Sequence, residues 1–135
     1  MKDAILILSL ILLPAWPAYA DWIQVDEAPS TGLTVYVNPF TVLHKGDSVI
    51  LWYLFDWKKD PNREGGQILS DKTEAEFDCK EERSRHLVTW FFRDNMGRGA
   101  SLGSSSAFRE WQPVTPDSIS QTLWQFACKK KLSRR

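Results

Sequence analysis

Residues Ser48-Val49-Ile50-Leu51-Trp52-Tyr53-Leu54-Phe55-Asp56-Trp57 form an almost unbroken apolar run. A strand covered on both faces, or lying in the middle of a sheet, has this pattern. Whatever else the chain does, it must therefore supply neighbours for a long central strand. Trp22-Ile23-Gln24-Val25 and Thr34-Val35-Tyr36-Val37 are short strand candidates, the second ended by the turn signal Asn38-Pro39. Thr41-Val42-Leu43 continues the meander, and Lys45-Gly46-Asp47 turns it into the apolar run.

Beyond the run, Lys58 to Gly66 is a polar loop holding Asp60-Pro61-Asn62 and Gly65-Gly66. A strand resumes from Ile68 to Cys79. Its second half alternates, with Ala75, Phe77 and Cys79 on one face and Glu74, Glu76 and Asp78 on the other. Glu81-Glu82-Arg83 marks a turn, and Arg85 to Arg93 a further strand. Asn95 to Ser106, rich in Gly and Ser, reads as a loop. Trp111-Gln112-Pro113-Val114 leads to a last element. Thr115-Pro116-Asp117-Ser118 then predicts a helix start with a capping Thr or Asp and a first-turn Pro. Ile119, Leu123, Phe126 and Ala127 follow at helical spacing. The basic residues after Cys128 suit a helix C-terminus. The expected fold is α+β: a small antiparallel sheet of about five to six strands packed with a C-terminal helix.

The first twenty residues stand apart. A charged start (Met1-Lys2-Asp3) leads into the apolar run Ala4 to Leu13. Pro14 breaks the run, and Ala18-Tyr19-Ala20 precedes Asp21. This is the layout of a secretory signal with an A-x-A cleavage site. The apolar core is shorter than the about 20 residues a bilayer span requires. No Cys occupies position 21, so the chain is not expected to be a lipoprotein. Residues 1–20 are read as a signal and 21–135 as a single domain with a short basic tail. Export places the domain in the periplasm, at the cell surface or in the medium, with no membrane span left after signal removal.

Export changes the reading of Cys79 and Cys128. An isolated pair in an oxidising compartment reads as one disulfide. Closing a loop of about 50 residues stabilises by roughly 4 kcal/mol on the chain-entropy estimate. The competing reading, two free thiols or half a metal site, is the weaker. There is no C-x-x-C, and only His44 and His86 could add nitrogen ligands.

Seventeen basic residues balance seventeen acidic ones, and the loss of Lys2 and Asp3 with the signal preserves that balance. A neutral chain without a basic stripe is not built to hold nucleic acid through phosphates. No nucleophile signature accompanies His44 or His86, so neither marks an enzyme, and nothing calls for a cofactor. Glu74, Glu76 and Asp78 could collect a hard cation, but no EF-hand-type loop accompanies them. They read as a solvated strand face that discourages edge pairing. Gly97-Arg98-Gly99 before Ser104-Ser105-Ser106 is too little for a phosphate cradle and fits a flexible loop.

Six tryptophans follow the signal: Trp22, Trp52, Trp57, Trp90, Trp111 and Trp124. Trp52 and Trp90 lie within apolar strands and read as core. Trp57, followed by Lys58-Lys59-Asp60, sits at a strand end beside a loop and is the exposed-aromatic candidate. With Lys58, Lys59 and Arg63 it forms the candidate binding site. Arg83, Arg85, Arg93, Arg98 and Arg109 alternate with Glu81, Glu82, Asp94 and Glu110, which reads as a mixed solvated surface.

Four features taken in order resemble the surface-adhesin protein E-like family of Gram-negative bacteria. They are Trp22 at the opening of the mature chain, the apolar strand holding Trp52, Glu76-Phe77-Asp78-Cys79 ahead of an Arg-rich strand and Met96-Gly97-Arg98-Gly99, and Trp111 to Ser118 running into a helix with the second Cys. The resemblance spans nearly all of residues 21 to 128. It implies a small antiparallel sheet packed on a C-terminal helix, with a Cys79–Cys128 bridge. The family takes its name from an adhesin that binds host extracellular proteins. A non-enzymatic exported binding module is therefore expected, its partner a protein of the host matrix or the bacterial envelope. The alternative expectation is a periplasmic structural or assembly protein that binds another envelope component.

Overall fold

The computed structural model of the chain describes residues 21–62 and 67–133. The signal read in residues 1–20, the loop residues Arg63, Gly65 and Gly66, and Arg134-Arg135 lie outside the described residues. Strands β1 (Ile23–Ala28), β2 (Leu33–Val37), β3 (Leu43–Lys45), β4 (Ser48–Trp57), β5 (Ser70–Asp78), β6 (Arg83–Phe92), β7 (Ser101–Ser105) and β8 (Gln112–Pro113) precede one helix, α1 (Ile119–Cys128). All pairings are antiparallel. The path across the sheet is β1-β2-β4-β5-β6-β7, with β3 also pairing with β4 and β8 with β6.

The apolar run is β4, held between β2 and β5. The sheet has eight strands where five to six were expected. Two of the additional pairings are short, the three residues of β3 and the two of β8. A third comes from the Gly- and Ser-rich segment read as a loop. Its first part is a 3-10 turn, Asn95–Gly97, and its last part is β7 on the sheet edge. Strand pairing there is carried by the backbone, which Gly and Ser supply without declaring it in side-chain pattern.

Register assigns the two faces. Leu33, Val35 and Val37 of β2 stand opposite Trp57, Phe55 and Tyr53 of β4, while Leu51 and Val49 stand opposite Ala75 and Phe77 of β5. These residues share one side, and Leu123, Trp124 and Ala127 of α1 pack onto it to form the core. On the other side lie Tyr36, Trp52, Leu54, Lys72 and Glu74, with no helix above them. The Asn95–Gly97 turn covers part of this second side where it meets β4 and β5. That turn is pinned by Asp56, whose Oδ1 accepts from Met96 N at 2.8 Å and Asn95 Nδ2 at 3.0 Å.

The helix begins later than its sequence predicts. Ser118 is the N-cap, its hydroxyl accepting from Gln121 N at 3.2 Å. Neither Thr115 nor Asp117 caps it, and Pro116 is outside its first turn. Asp117 takes a left-handed φ of 58°, which swings the chain between Pro116 and the helix, and its N–H bonds back to Gln121 Oε1 at 2.7 Å. At the far end, Cys128 is disulfide-bonded to Cys79, just past the end of β5, with Cα atoms 5.5 Å apart. The bridge ties the only α-helix among the described residues to the middle of the sheet.

Candidate functional site

The uncovered side of the sheet carries a shallow depression of about 330 Å³. Trp22, Trp52, Trp90 and Phe92 line it, with Lys72 among them and Asn38 and Thr41 at its side. Each element places its residue by simple parity. Lys72 stands opposite Trp90 across the β5–β6 ladder. Trp52 stands opposite Glu74, one pair further along. Trp22, immediately ahead of β1, reaches over from the far edge. The Lys72 ammonium lies 5.2 Å from the centre of the Phe92 ring and 5.9 Å from that of Trp22. Both are cation–π distances.

Trp52 and Trp90 are therefore not core, contrary to the expectation from their strands. Trp52 is half-buried and Trp90 is 42% exposed. In β4 the residues of both parities are apolar, so the sequence does not say which parity meets the helix.

The position of Lys72 is fixed by its surroundings. Gly97 has φ +67°, and a Cβ built there would collide with the Lys72 side chain at Cε. The positive φ is what favours glycine there; a methyl at this position would push the flexible Lys72 side chain aside. Gly97 N donates to Ser70 Oγ at 2.8 Å, and that hydroxyl donates to the carbonyl of Asp94 at 2.5 Å. Among the described residues Lys72 has no carboxylate in salt-bridge range.

Further along the same side, Glu76 and Asp78 overturn the solvated-face reading. They are 5% and 7% exposed. Glu76 Oε1 accepts from Arg85 Nη2 at 2.6 Å and Nε at 2.9 Å, and Asp78 Oδ2 accepts from Arg83 Nε at 3.0 Å. Trp111 lies over both guanidinium groups, its ring centre 4.6 Å from Arg83 and 4.4 Å from Arg85. Burial opposes ionisation of Asp78. The Glu81 N–H, the Arg83 guanidinium and the Lys80 N–H outweigh it and hold the carboxyl below its usual range. Arg83 and Arg85, with side chains still 42% and 31% exposed, are thus paired with buried carboxylates at the edge of solvent rather than standing free. A bulge makes the pairing possible: the β5–β6 register shifts between Glu74 and Ala75, setting Arg85 opposite Glu76 and Arg83 opposite Asp78.

The candidate site read from the sequence lies elsewhere. Trp57 is half-buried at the end of β4, on the helix-bearing side, packed against the core and edge-on to Phe55 with ring centres 6.2 Å apart. Its side chain hydrogen-bonds to Asp71, whose carboxyl burial pushes up to about 7 despite that bond. Lys58 and Lys59 follow it into solvent. Arg63 is outside the described residues. The structure does not bring Trp57 to the aromatic depression, which is on the opposite side. Trp22, Lys72 and Phe92 are the binding candidates that sequence reading missed. The available signal was the polar row Lys72-Glu74-Glu76 in β5, which marks the uncovered side, with Trp52 and Trp90 pairing into it.

His86 faces the helix side. Its Nε2 is 3.0 Å from the Tyr53 hydroxyl, and Phe108 stands edge-on to it at 6.4 Å between ring centres. Burial lowers the His86 pKa and raises that of Tyr53. The pair is a neutral hydrogen-bonded wall rather than a proton relay at ordinary pH.

The architecture is a one-layer sheet clamped to a helix on one side and largely uncovered on the other, and the family to which the sequence profile assigns it makes it an adhesin-like module. The chain belongs to the surface-adhesin protein E family, whose sequence profile matches residues 22–129. Its fold is similar to that of protein E from Haemophilus influenzae. Crystal form II of that protein superposes with a TM-score of 0.63 at 14% identity, covering 87% of this chain and 94% of the other. Protein E from non-typeable Haemophilus influenzae gives 0.59 at 14% identity, covering 87% and 82%. At such identity the likeness is one of fold. A search of curated protein sequences gives no match.

Proposed function

We propose that this chain is a non-enzymatic binding module that acts outside the cytoplasm and attaches to a protein of the host matrix or the bacterial envelope through the bare side of its sheet. The observation that carries this reading is the cluster of Trp22, Trp52, Trp90 and Phe92 around Lys72. Large aromatic side chains on a surface are unusual unless something covers them, and aromatic anchors dominate binding energy at interfaces. Most of the side that the helix covers is taken up by the core and the disulfide, which leaves the other side with the larger free surface. Family membership supports an adhesive rather than catalytic role. The signal-like residues 1–20 support export, without lipid attachment. Trp57, Lys58, Lys59 and Arg63 belong to the reading as a second contact at the sheet's end, where exposed lysines flank an aromatic ring.

Capture from envelope and extracellular-matrix extracts on the immobilised mature domain tests the reading. Trp90→Ala should lose captured protein while melting like the wild type, because Trp90 is outside the core. Trp57→Ala should lose less. Undiminished capture by Trp90→Ala, or none by the wild type, refutes the site. Protease shaving of intact cells tests surface exposure.

A further inference from the structure

The Lys72 depression has a chemistry narrower than "interface". Among the described residues that line it, four are aromatic and none is a Leu, Ile, Val or Met. A pocket for an apolar peptide side chain is ordinarily walled by aliphatic groups as well as rings. Here the rings leave broad π-faces open on a flat sheet, and the only full charge among them is positive. Asn38 adds an amide at the edge. Its Oδ1 already accepts from Phe40 N at 3.0 Å, which leaves the Nδ2 donor directed elsewhere. The space, about 330 Å³, is at the small end of the about 300–1,000 Å³ typical of small-ligand sites.

A ligand that fits must offer flat C–H surfaces to the negative faces of the rings, an anionic group for Lys72 and an acceptor for Asn38. Sugar rings carry axial C–H bonds on one face and hydroxyls on the rim, and a uronic acid adds a carboxylate. We infer that the depression around Lys72 seats an acidic sugar unit of a polysaccharide or glycan chain, its ring stacked on Trp90 or Trp52 and its carboxylate on the Lys72 ammonium. The inference rests on the bare side being the recognition surface, and it names what that surface takes from its partner.

Three features preorganise the site. The turn at Gly97 lies against the Lys72 stem, which limits the ordering its ammonium requires on binding. Phe92 and Trp22 hold the charge by cation–π contact without neutralising it. The Arg83 and Arg85 guanidinium groups, the alternative anion sites on this side, are already committed to Asp78 and Glu76 beneath Trp111. Among the residues lining the depression, Lys72 is thus the one cation left for an anion, with Glu74 one pair further along the same face.

The test is a tryptophan-fluorescence titration of the mature domain with a hyaluronan hexasaccharide, which carries glucuronate on alternate sugars, and with maltohexaose as the neutral counterpart. The wild type should bind the acidic chain at least about tenfold more tightly, the equivalent of one good contact. Lys72→Gln should abolish that preference. Trp90→Ala should weaken binding of the acidic chain about tenfold or more, while Trp90→Phe keeps a stacking face and loses less. Phe108→Ser, which removes an exposed ring elsewhere, should bind like the wild type. Circular dichroism melts confirm that each variant is folded. The inference is overturned if neither oligosaccharide binds, if Trp90→Ala binds as tightly as the wild type, or if vesicles containing phosphatidylglycerol bind and the oligosaccharides do not. Glycosidase treatment of the captured extracts separates the two levels. Capture that depends on Trp90 but survives deglycosylation removes the sugar and leaves the binding module. Loss of all capture together with no oligosaccharide binding removes both.

Discussion

Trp124 of the helix donates its indole N–H to the backbone carbonyl of Asp78, 2.9 Å away. The next residue in the chain is Cys79, disulfide-bonded to Cys128, the last residue of the helix. A covalent bond and a buried hydrogen bond thus hold the same helix to the same strand end, and Trp124 is fully buried between them.

Cys128→Ser should lower the melting temperature by about ten degrees or more. The bridge joins residues 49 apart in sequence, and loss of such a loop constraint costs about 4 kcal/mol. Differential scanning calorimetry with and without reductant checks it. A wild type that melts alike in both conditions refutes it.

Arg85→Ala should cost about 3 kcal/mol in denaturant unfolding, because it leaves the buried Glu76 carboxylate without its cation. Adding Glu76→Gln to it should restore part of that loss. Simple additivity of the two substitutions in a double-mutant cycle would show that the pair is not coupled.

Asp71 gives stability a pH dependence of unusual sign. Burial lifts its carboxyl to about 7 in the folded state, against about 3.9 for an unperturbed Asp. Between those values the folded chain holds a proton that the unfolded chain has released. The contribution of Asp71 to stability therefore falls as pH rises from about 4 to 7, and is flat above. Asp71→Asn keeps an acceptor for Trp57 and should flatten this slope, gaining relative to the wild type at pH 8 and not at pH 4. Melts across that range would contradict the assignment if both proteins lose stability in parallel.

Gly97→Ala should cost about 1 kcal/mol through its positive φ. Its larger effect should be local, since the new methyl displaces Lys72 from between Phe92 and Trp22. Changed tryptophan emission in a folded variant is the expected readout. Emission identical to the wild type would mean that the Lys72 stem is not held by Gly97.

Much of the fold is legible in the sequence because it is written in strong local signals. The long apolar run became the central strand β4, the alternation of Ala75 and Phe77 gave the face that meets the helix, and Cys79 and Cys128 found each other. The site was far less legible, for physical reasons that can be located. Both parities of β4 are apolar, so Trp52 gave no sign of its side. A bulge beside Glu74 carries no residue signature, yet it decides which arginine meets which carboxylate. Trp111 is far in sequence from Arg83 and Arg85, and it comes over them through the two-residue β8 pairing with β6 and the backbone hydrogen bonds His86–Phe108 and Val114–Glu82 on either side. The helix start was misplaced by one to three residues because a left-handed Asp117 is allowed but not announced.

The placement of α1 on a single side of the sheet has a consequence for how such a chain can change. The side chains that decide whether the domain stands, Trp124, Leu51, Val35 and the two cysteines, point one way. Those around Lys72 point the other. Substitutions at Trp22, Trp90 or Phe92 are thus free to retune the surface without loosening the framework. If the proposed binding surface is right, a lineage carrying this domain can exchange one binding preference for another by drift on that side, while the clamped side preserves the same architecture beneath it.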